Sequence, residues 1–251
     1  RSIGMGVYPK LLQGGHEKIL RDNLMIFFYV SFPIITLSIT FAKPALFALN
    51  PIYQVAVPVV ILLALRQFIT SLNMLLFSGL QGIEKVDVDD GSTINDYLKS
   101  KLVLFPTFQM IRHGVYIGSL VIILIIIGTN SDNQIELVTY WALIGLIVEI
   151  PLFLYIIRLV KKSFTLEMNY LRILKYAISS LTVFGIIYFI MEEFLIYSEN
   201  IVEFLPNLMI FALLGGFGYL GITYFIDNNT RVLVKSVLKE IKGKKGIDKK
   251  Q

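Results

Sequence analysis

The sequence predicts an all-α integral membrane protein with about six transmembrane helices. Three observations lead there. Of 251 residues, 55% are hydrophobic and only 16% are charged, with a mean hydropathy of +0.71; a soluble domain carries about 25% charged residues. The apolar residues fall into six long blocks, most of them at least as long as the ~20 residues that cross a bilayer. The basic residues fall between those blocks on alternate connections, as the positive-inside rule requires of a multi-pass protein.

The same composition excludes several chemistries. There is no cysteine, hence no disulfide framework and no thiolate metal site. The two histidines, His16 and His113, are too far apart in sequence to give a zinc spacing. The net charge of +5 is distributed as topology signals and not as a nucleic-acid footprint, so no nucleic-acid partner is expected.

Residues 1–23 read as the end of a preceding helix, a turn broken by Pro9 and Gly14-Gly15, and an amphipathic lead-in on the cytoplasmic side, with His16 and Glu17 in a solvated loop. The chain opens with Arg1, which fits a fragment or a processed product. The six-helix bundle occupies 24–226. Its first span is Leu24–Ala42, with Pro33 at the centre to kink it. Residues 43–50 read as a short, turn-rich connection. The second span, Pro51–Gln81, holds Arg66 about 15 residues from either end, close to the midplane. An arginine there costs at least ~2.5–3.5 kcal/mol on insertion scales, so it faces a wet cavity or a partner. Thr70 and Asn73 follow at i+4 and i+7 on the same face, and the helix reads as one wall of a polar path.

Residues 82–101 form the most polar internal stretch. Asp87, Asp89 and Asp90 resemble an acidic metal motif, but the run DVDDGSTIND lacks the EF-hand spacing, and a solvated loop is the preferred reading. The third span, 102–128, puts Gln109, Arg112, His113 and Tyr116 in one arc. Arg112 can snorkel to the surface or line a cavity, and its polar neighbours favour the cavity. After a short loop at 129–134, the fourth span, 135–160, carries Glu149 near its middle, with Ala142 and Gly145 on the same face permitting close approach. Three roles are open to Glu149: paired with an arginine, protonated, or titrating during transport.

A basic connection, 161–175, precedes the fifth span, 176–191. The acidic stretch EEFLIYSENIVEFLP reads as interfacial, and the sixth span is 207–226, its glycines at 215, 216, 218 and 221 suited to close helix packing. Residues 227–251 read as a basic amphipathic cytoplasmic tail. With the N-terminus inside, 20 of the 23 basic residues are cytoplasmic; the outer connections keep only Lys43, and Arg66 and Arg112 lie within the membrane. This predicts a multi-pass protein of the cell membrane with both termini cytoplasmic.

Five stretches carry a family resemblance: VYPKLLQGGHEK, the FPI at 32–34, ALFALNPIYQVAVPVVILLALRQF, LLFSGLQGIEK and, at the end, DNNTRVLVKSVLKEIKG. In these the chain resembles the C-terminal part of a polysaccharide flippase of the multidrug/oligosaccharidyl-lipid/polysaccharide exporter superfamily. It departs from that pattern in the longer, more acidic loop at 82–101 and in GTNSDNQIEL after the third block. The resemblance implies the C-terminal lobe of a two-lobed transporter, with the N-terminal lobe as its partner. It also implies a lipid-linked oligosaccharide or polysaccharide precursor as substrate, membrane lipid as surroundings, no cofactor and no enzymatic step. Arg66, Thr70, Asn73, Gln109, Arg112, His113, Tyr116 and Glu149 are then the candidate substrate-binding residues, since guanidinium groups bind phosphate oxygens bidentately. The competing expectations are a drug/cation antiporter of the same superfamily, an integral membrane glycosyl- or phosphotransferase using 87–90, and a structural membrane subunit.

Overall fold

The computed structural model describes residues 16–83, 93–126, 134–198 and 200–232. The expectations placed on Pro9, Gly14, Gly15, Asp87, Asp89 and Asp90, on most of the 129–134 loop and on the tail beyond 232 lie outside the described residues. Within them there is no strand. The helices are α1 (His16–Thr40), α2 (Ala42–Leu49), a 3-10 helix (Pro51–Ala56), α3 (Val57–Gln81), α4 (Ile94–Lys99), α5 (Lys101–Ile126), α6 (Gln134–Ser163), α7 (Tyr170–Phe194) and α8 (Ile201–Ile226). Six stretches are long and apolar enough to cross a membrane, namely α1, the 3-10 helix with α3, α5, α6, α7 and α8. Such a set is consistent with a multi-pass membrane protein. The outward surface supports it: α5 has no fully buried residue, yet its exposed side chains include Met110, Ile111, Val115, Ile117, Val121 and Ile122. Apart from its polar arc, a helix this apolar on its outward face belongs against other protein or in lipid.

Several boundaries differ from the sequence reading, each for a local reason. Helix α1 starts at His16, so Glu17 is in a helical first turn and not in a loop; its carboxylate accepts from the Thr165 backbone N–H (2.9 Å) and hydroxyl (2.7 Å) in the α6–α7 connection. The turn-rich reading of 43–50 gives way to α2, because Pro44 sits in its first turn, where its missing N–H costs nothing. Asn50 then caps the 3-10 helix by accepting from the Ile52 N–H (2.9 Å), with Pro51 at the first position. Part of the polar 82–101 stretch is helical: Thr93 and Asp96 form a capping box that starts α4. Asn169 and Asn200 cap α7 and α8 and start them six residues before the apolar blocks do. The acidic stretch after Met191 is not a separate element. It closes α7, links, and opens α8, with Pro206 inside that helix.

The spans run antiparallel in succession. Glu17 meets Thr165 at one end, and the Phe47 ring meets Tyr197 (4.8 Å) and Phe204 (5.2 Å) at the other. In space the order is α8, α7, α1, α3, α6, α5, each packed on the next. One apolar core joins α1, α3 and α6 around Leu20, Phe27, Leu76, Leu80 and Ile156 near the first of these ends. A second, around Phe41, Phe184, Met191 and Phe204, joins α1, α7 and α8 near the opposite end. The α8 glycines divide: a Cβ on Gly215 would stand 2.7 Å from the Phe184 ring and one on Gly218 3.2 Å from Val183, whereas Gly216 and Gly221 face open space. Only the first two serve packing.

Proline at position 33 removes the N–H that the Tyr29 carbonyl needs four residues earlier. Helix α1 continues through it, and the Tyr219 hydroxyl of α8 donates to that carbonyl at 2.8 Å in a buried setting. This is the re-satisfaction of a freed backbone group by a neighbouring helix that a bilayer core demands. Tyr219→Phe is expected to destabilise the bundle by about 1–3 kcal/mol, the cost of an unpaired buried acceptor. Adding Pro33→Ala to that variant returns most of the loss by restoring the helical donor. Thermal unfolding of the four proteins in detergent measures it, and an unchanged midpoint in Tyr219→Phe would refute the assignment.

Asp227 ends α8 and starts the helical turn that follows. Its Oδ2 accepts from the Tyr176 hydroxyl (2.7 Å), the Thr230 N–H (3.0 Å) and hydroxyl (2.9 Å), and Arg172 Nε (3.2 Å). Burial pushes this carboxyl up, but the donors from Tyr176 and Thr230 and the Arg172 charge outweigh it and hold the group below its ordinary value. A carboxylate depressed in the folded state stabilises above its unfolded pKa, and that contribution is lost as pH falls through the folded value. The α7–α8 contact should therefore hold evenly from about pH 5 to 8 and weaken below about pH 4. Asp227→Asn should lower the unfolding temperature at pH 7 and flatten the acid limb; an unaltered acid limb would contradict the pairing.

A candidate polar site at mid-span

The polar residues of three apolar helices converge where their spans are thickest. Arg66 lies 15 residues from each end of the span Pro51–Gln81, Glu149 is 15 residues into Gln134–Ser163, and Arg112 is 11 into Lys101–Ile126. The Glu149 side chain is 1% exposed, that of Arg112 12% and that of Arg66 24%. One carboxylate oxygen, Glu149 Oε1, carries the cluster. It accepts from Arg112 Nη1, it accepts from the Thr70 hydroxyl at 2.9 Å, and it lies 4.0 Å from Arg66 Nε. Glu149 is thus paired, the first of the three roles its sequence position allows. Losing the carboxylate, or the directly bonded Arg112, would leave a buried charge without its closest counter-charge.

Arg66 is seated differently from Arg112. Its Cζ stands 5.0 Å above the centre of the Tyr116 ring, in cation–π range. Its Nη1 fills the space beside Gly145, where a Cβ would come within 2.7 Å. The close approach expected at Ala142 and Gly145 is therefore made at Gly145 by Arg66. At 4.0 Å the contact with Glu149 is an ion pair and not a hydrogen bond, and among the described residues Arg66 makes no hydrogen bond. Its N–H donors remain available on the exposed side of the guanidinium. Two cations against one carboxylate leave the cluster with one excess positive charge.

Of the eight predicted site residues, five meet here: Arg66, Thr70, Arg112, Tyr116 and Glu149. His113 stands at the rim; its Nε2 is 3.1 Å from Arg112 Nη2, and the residue is exposed. Gln109 is half-buried and makes no polar contact among the described residues. Asn73 is fully buried next to the α1–α6 core, and neither its amide nitrogen nor its oxygen has a partner. Asn73 shares the face of Arg66 and Thr70, two turns along the helix, but it is buried and makes no hydrogen bond with the cluster. Two other buried polar atoms without partners belong to the site itself, Glu149 Oε2 and the Tyr116 hydroxyl.

The residues that sequence reasoning missed are those defined only by the approach of distant helices. Tyr219 on the Tyr29 carbonyl is one; at Gly145 the close approach was legible, but not that Arg66 makes it. Among the described residues no group of three His, Cys, Asp or Glu side chains could hold a metal ion. What the mid-span cluster can do chemically is bind an anion: it offers a planar donor fork, a net positive charge and a hydroxyl-bearing aromatic wall. No family model, no curated protein and no solved structure matches the chain.

Proposed function

We propose that this chain is part of a membrane transporter that moves a lipid-linked oligosaccharide or polysaccharide precursor across the cell membrane by alternating access. The observation that carries the reading is Arg66, a mid-span guanidinium with its N–H donors unused, in a cluster of net positive charge. A pyrophosphate joining lipid to glycan supplies the acceptors such a fork fits. The substrate-binding set is then Arg66 and Arg112, oriented by Glu149, Thr70 and Tyr116, with His113 and Gln109 at the rim. In this reading the chain forms one lobe, an N-terminal lobe forms the other, and rocking of the two exposes the site to each side in turn. Both termini are cytoplasmic, which puts the basic connections inside.

Glu149 gives a drug/cation antiporter its best observation, a fully buried carboxylate at mid-span. Two arginines already occupy it, so a cationic substrate would have to displace one of them. The experiment is translocation of a labelled isoprenyl-pyrophosphate-linked oligosaccharide in proteoliposomes holding the complete transporter. Movement of the intact molecule supports the flippase. Movement of a cationic dye instead supports the antiporter, and a change in the mass of the lipid-linked glycan supports a transferase.

A further inference from the structure

A second feature lies away from the arginine cluster. Helices α3 and α7 both pack on α1, and residues of all three line a common gap toward the α2 end of the bundle. The gap is a cavity of about 710 Å³, walled by Ile39 of α1, Val57 and Ile61 of α3, and Leu181, Phe184 and Gly185 of α7. The core that joins α1 to α3 and α6 occupies the other half of the bundle and does not reach it. Gly185 keeps the cleft open: a Cβ there would meet no atom within 4 Å.

The polarity of the cleft is graded. The deeper hydroxyls are already bonded within the protein: Thr36 Oγ1 to Ser180 Oγ and to the Phe32 carbonyl, and Thr40 Oγ1 to the Phe184 carbonyl. The wall that remains is apolar. At the mouth stand Lys43, Gln54 and Tyr188. Lys43 Nζ lies 5.9 Å from the centre of the Tyr197 ring, and the Tyr188 hydroxyl donates to Glu192. The α1, α3 and α7 walls of the cleft belong to helices long and apolar enough to cross a membrane.

We propose that this cleft is a phospholipid site, distinct from the mid-span cluster, in which one acyl chain lies between α3 and α7 and the phosphate sits on Lys43. An apolar wall beneath a single cation matches one chain beneath one phosphate, and a lysine near a helix end reaches the headgroup level readily. The site does not depend on the transport reading.

Native mass spectrometry of the full chain, released from nanodiscs of mixed phosphatidylglycerol and phosphatidylcholine, tests it. The wild type is expected to retain one lipid, with phosphatidylglycerol preferred. Gly185→Leu fills the cleft and should reduce the retained lipid by at least fivefold, whereas Gly216→Leu, on the open surface of α8, should not. Lys43→Gln, an exposed change that leaves the walls intact, should keep the lipid and lose the preference for the anionic headgroup. Equal retention in Gly185→Leu and wild type would overturn the proposal. So would a second copy of the chain in place of the lipid, or an unchanged headgroup preference in Lys43→Gln.

Discussion

Arg66→Ala is expected to abolish export of the lipid-linked glycan, by at least tenfold per folded molecule, while the protein still inserts and folds. The structure separates the two outcomes. Arg66 contacts Glu149 only as an ion pair at 4.0 Å, and Arg112 and Thr70 remain bonded to the same oxygen when Arg66 is gone. Truncation therefore strands no buried charge, and it removes a mid-span cation whose insertion costs at least ~2.5–3.5 kcal/mol. Arg66→Lys should retain part of the export, because an ammonium attracts phosphate but cannot hold it with a fork. A purely structural arginine predicts the reverse: less folded protein in Arg66→Ala, with export per folded molecule unchanged. Export normalised to inserted, folded transporter distinguishes them.

Glu149→Ala is expected to have the largest effect on stability, about 3–5 kcal/mol, since it leaves two guanidiniums facing each other without a counter-charge. Glu149→Gln fits the same space and, from sequence alone, is expected to fold. The structure adds that its amide keeps an acceptor for Arg112 but not the charge, so this variant should fall between wild type and Glu149→Ala. The cycle with Arg112 should show strong coupling, because the two are directly hydrogen-bonded. The cycle with Arg66 should show less, in keeping with its longer distance. Equal stability of Glu149→Ala and wild type would remove the carboxylate from its place at the centre of the cluster.

Much of this was legible in the sequence, for identifiable reasons. Six apolar blocks became six helices long and apolar enough to cross a membrane, because block length sets how much of a bilayer a helix can cover. Their ends were less legible, since Asn169, Asn200 and Thr93 extend helices beyond the apolar residues by capping, and capping does not register as hydropathy. The short helix α2 was masked by Pro44, which reads as a breaker until it is placed in a first turn. Within the site, spacing on one helix found Arg66 with Thr70 and Arg112 with Tyr116, each four apart. It also enrolled His113, which lies about 100° around the helix from Arg112 and so reaches only the rim. Spacing along one helix cannot say which helix approaches. The pairing of Glu149 with both arginines, the seat at Gly145 and the Tyr219 bond to the Tyr29 carbonyl all join residues more than 30 positions apart.

The central claim is that the mid-span cluster binds an anionic headgroup, and binding can be measured without transport. Equilibrium binding of a labelled isoprenyl pyrophosphate to the detergent-solubilised protein tests it most directly. Wild type should bind saturably, Arg66→Lys more weakly and Arg66→Ala not measurably, while Lys18→Ala, a basic residue in the first turns of α1 remote from the cluster, should bind as wild type does. Equal affinity of wild type and Arg66→Ala for the pyrophosphate would contradict the account.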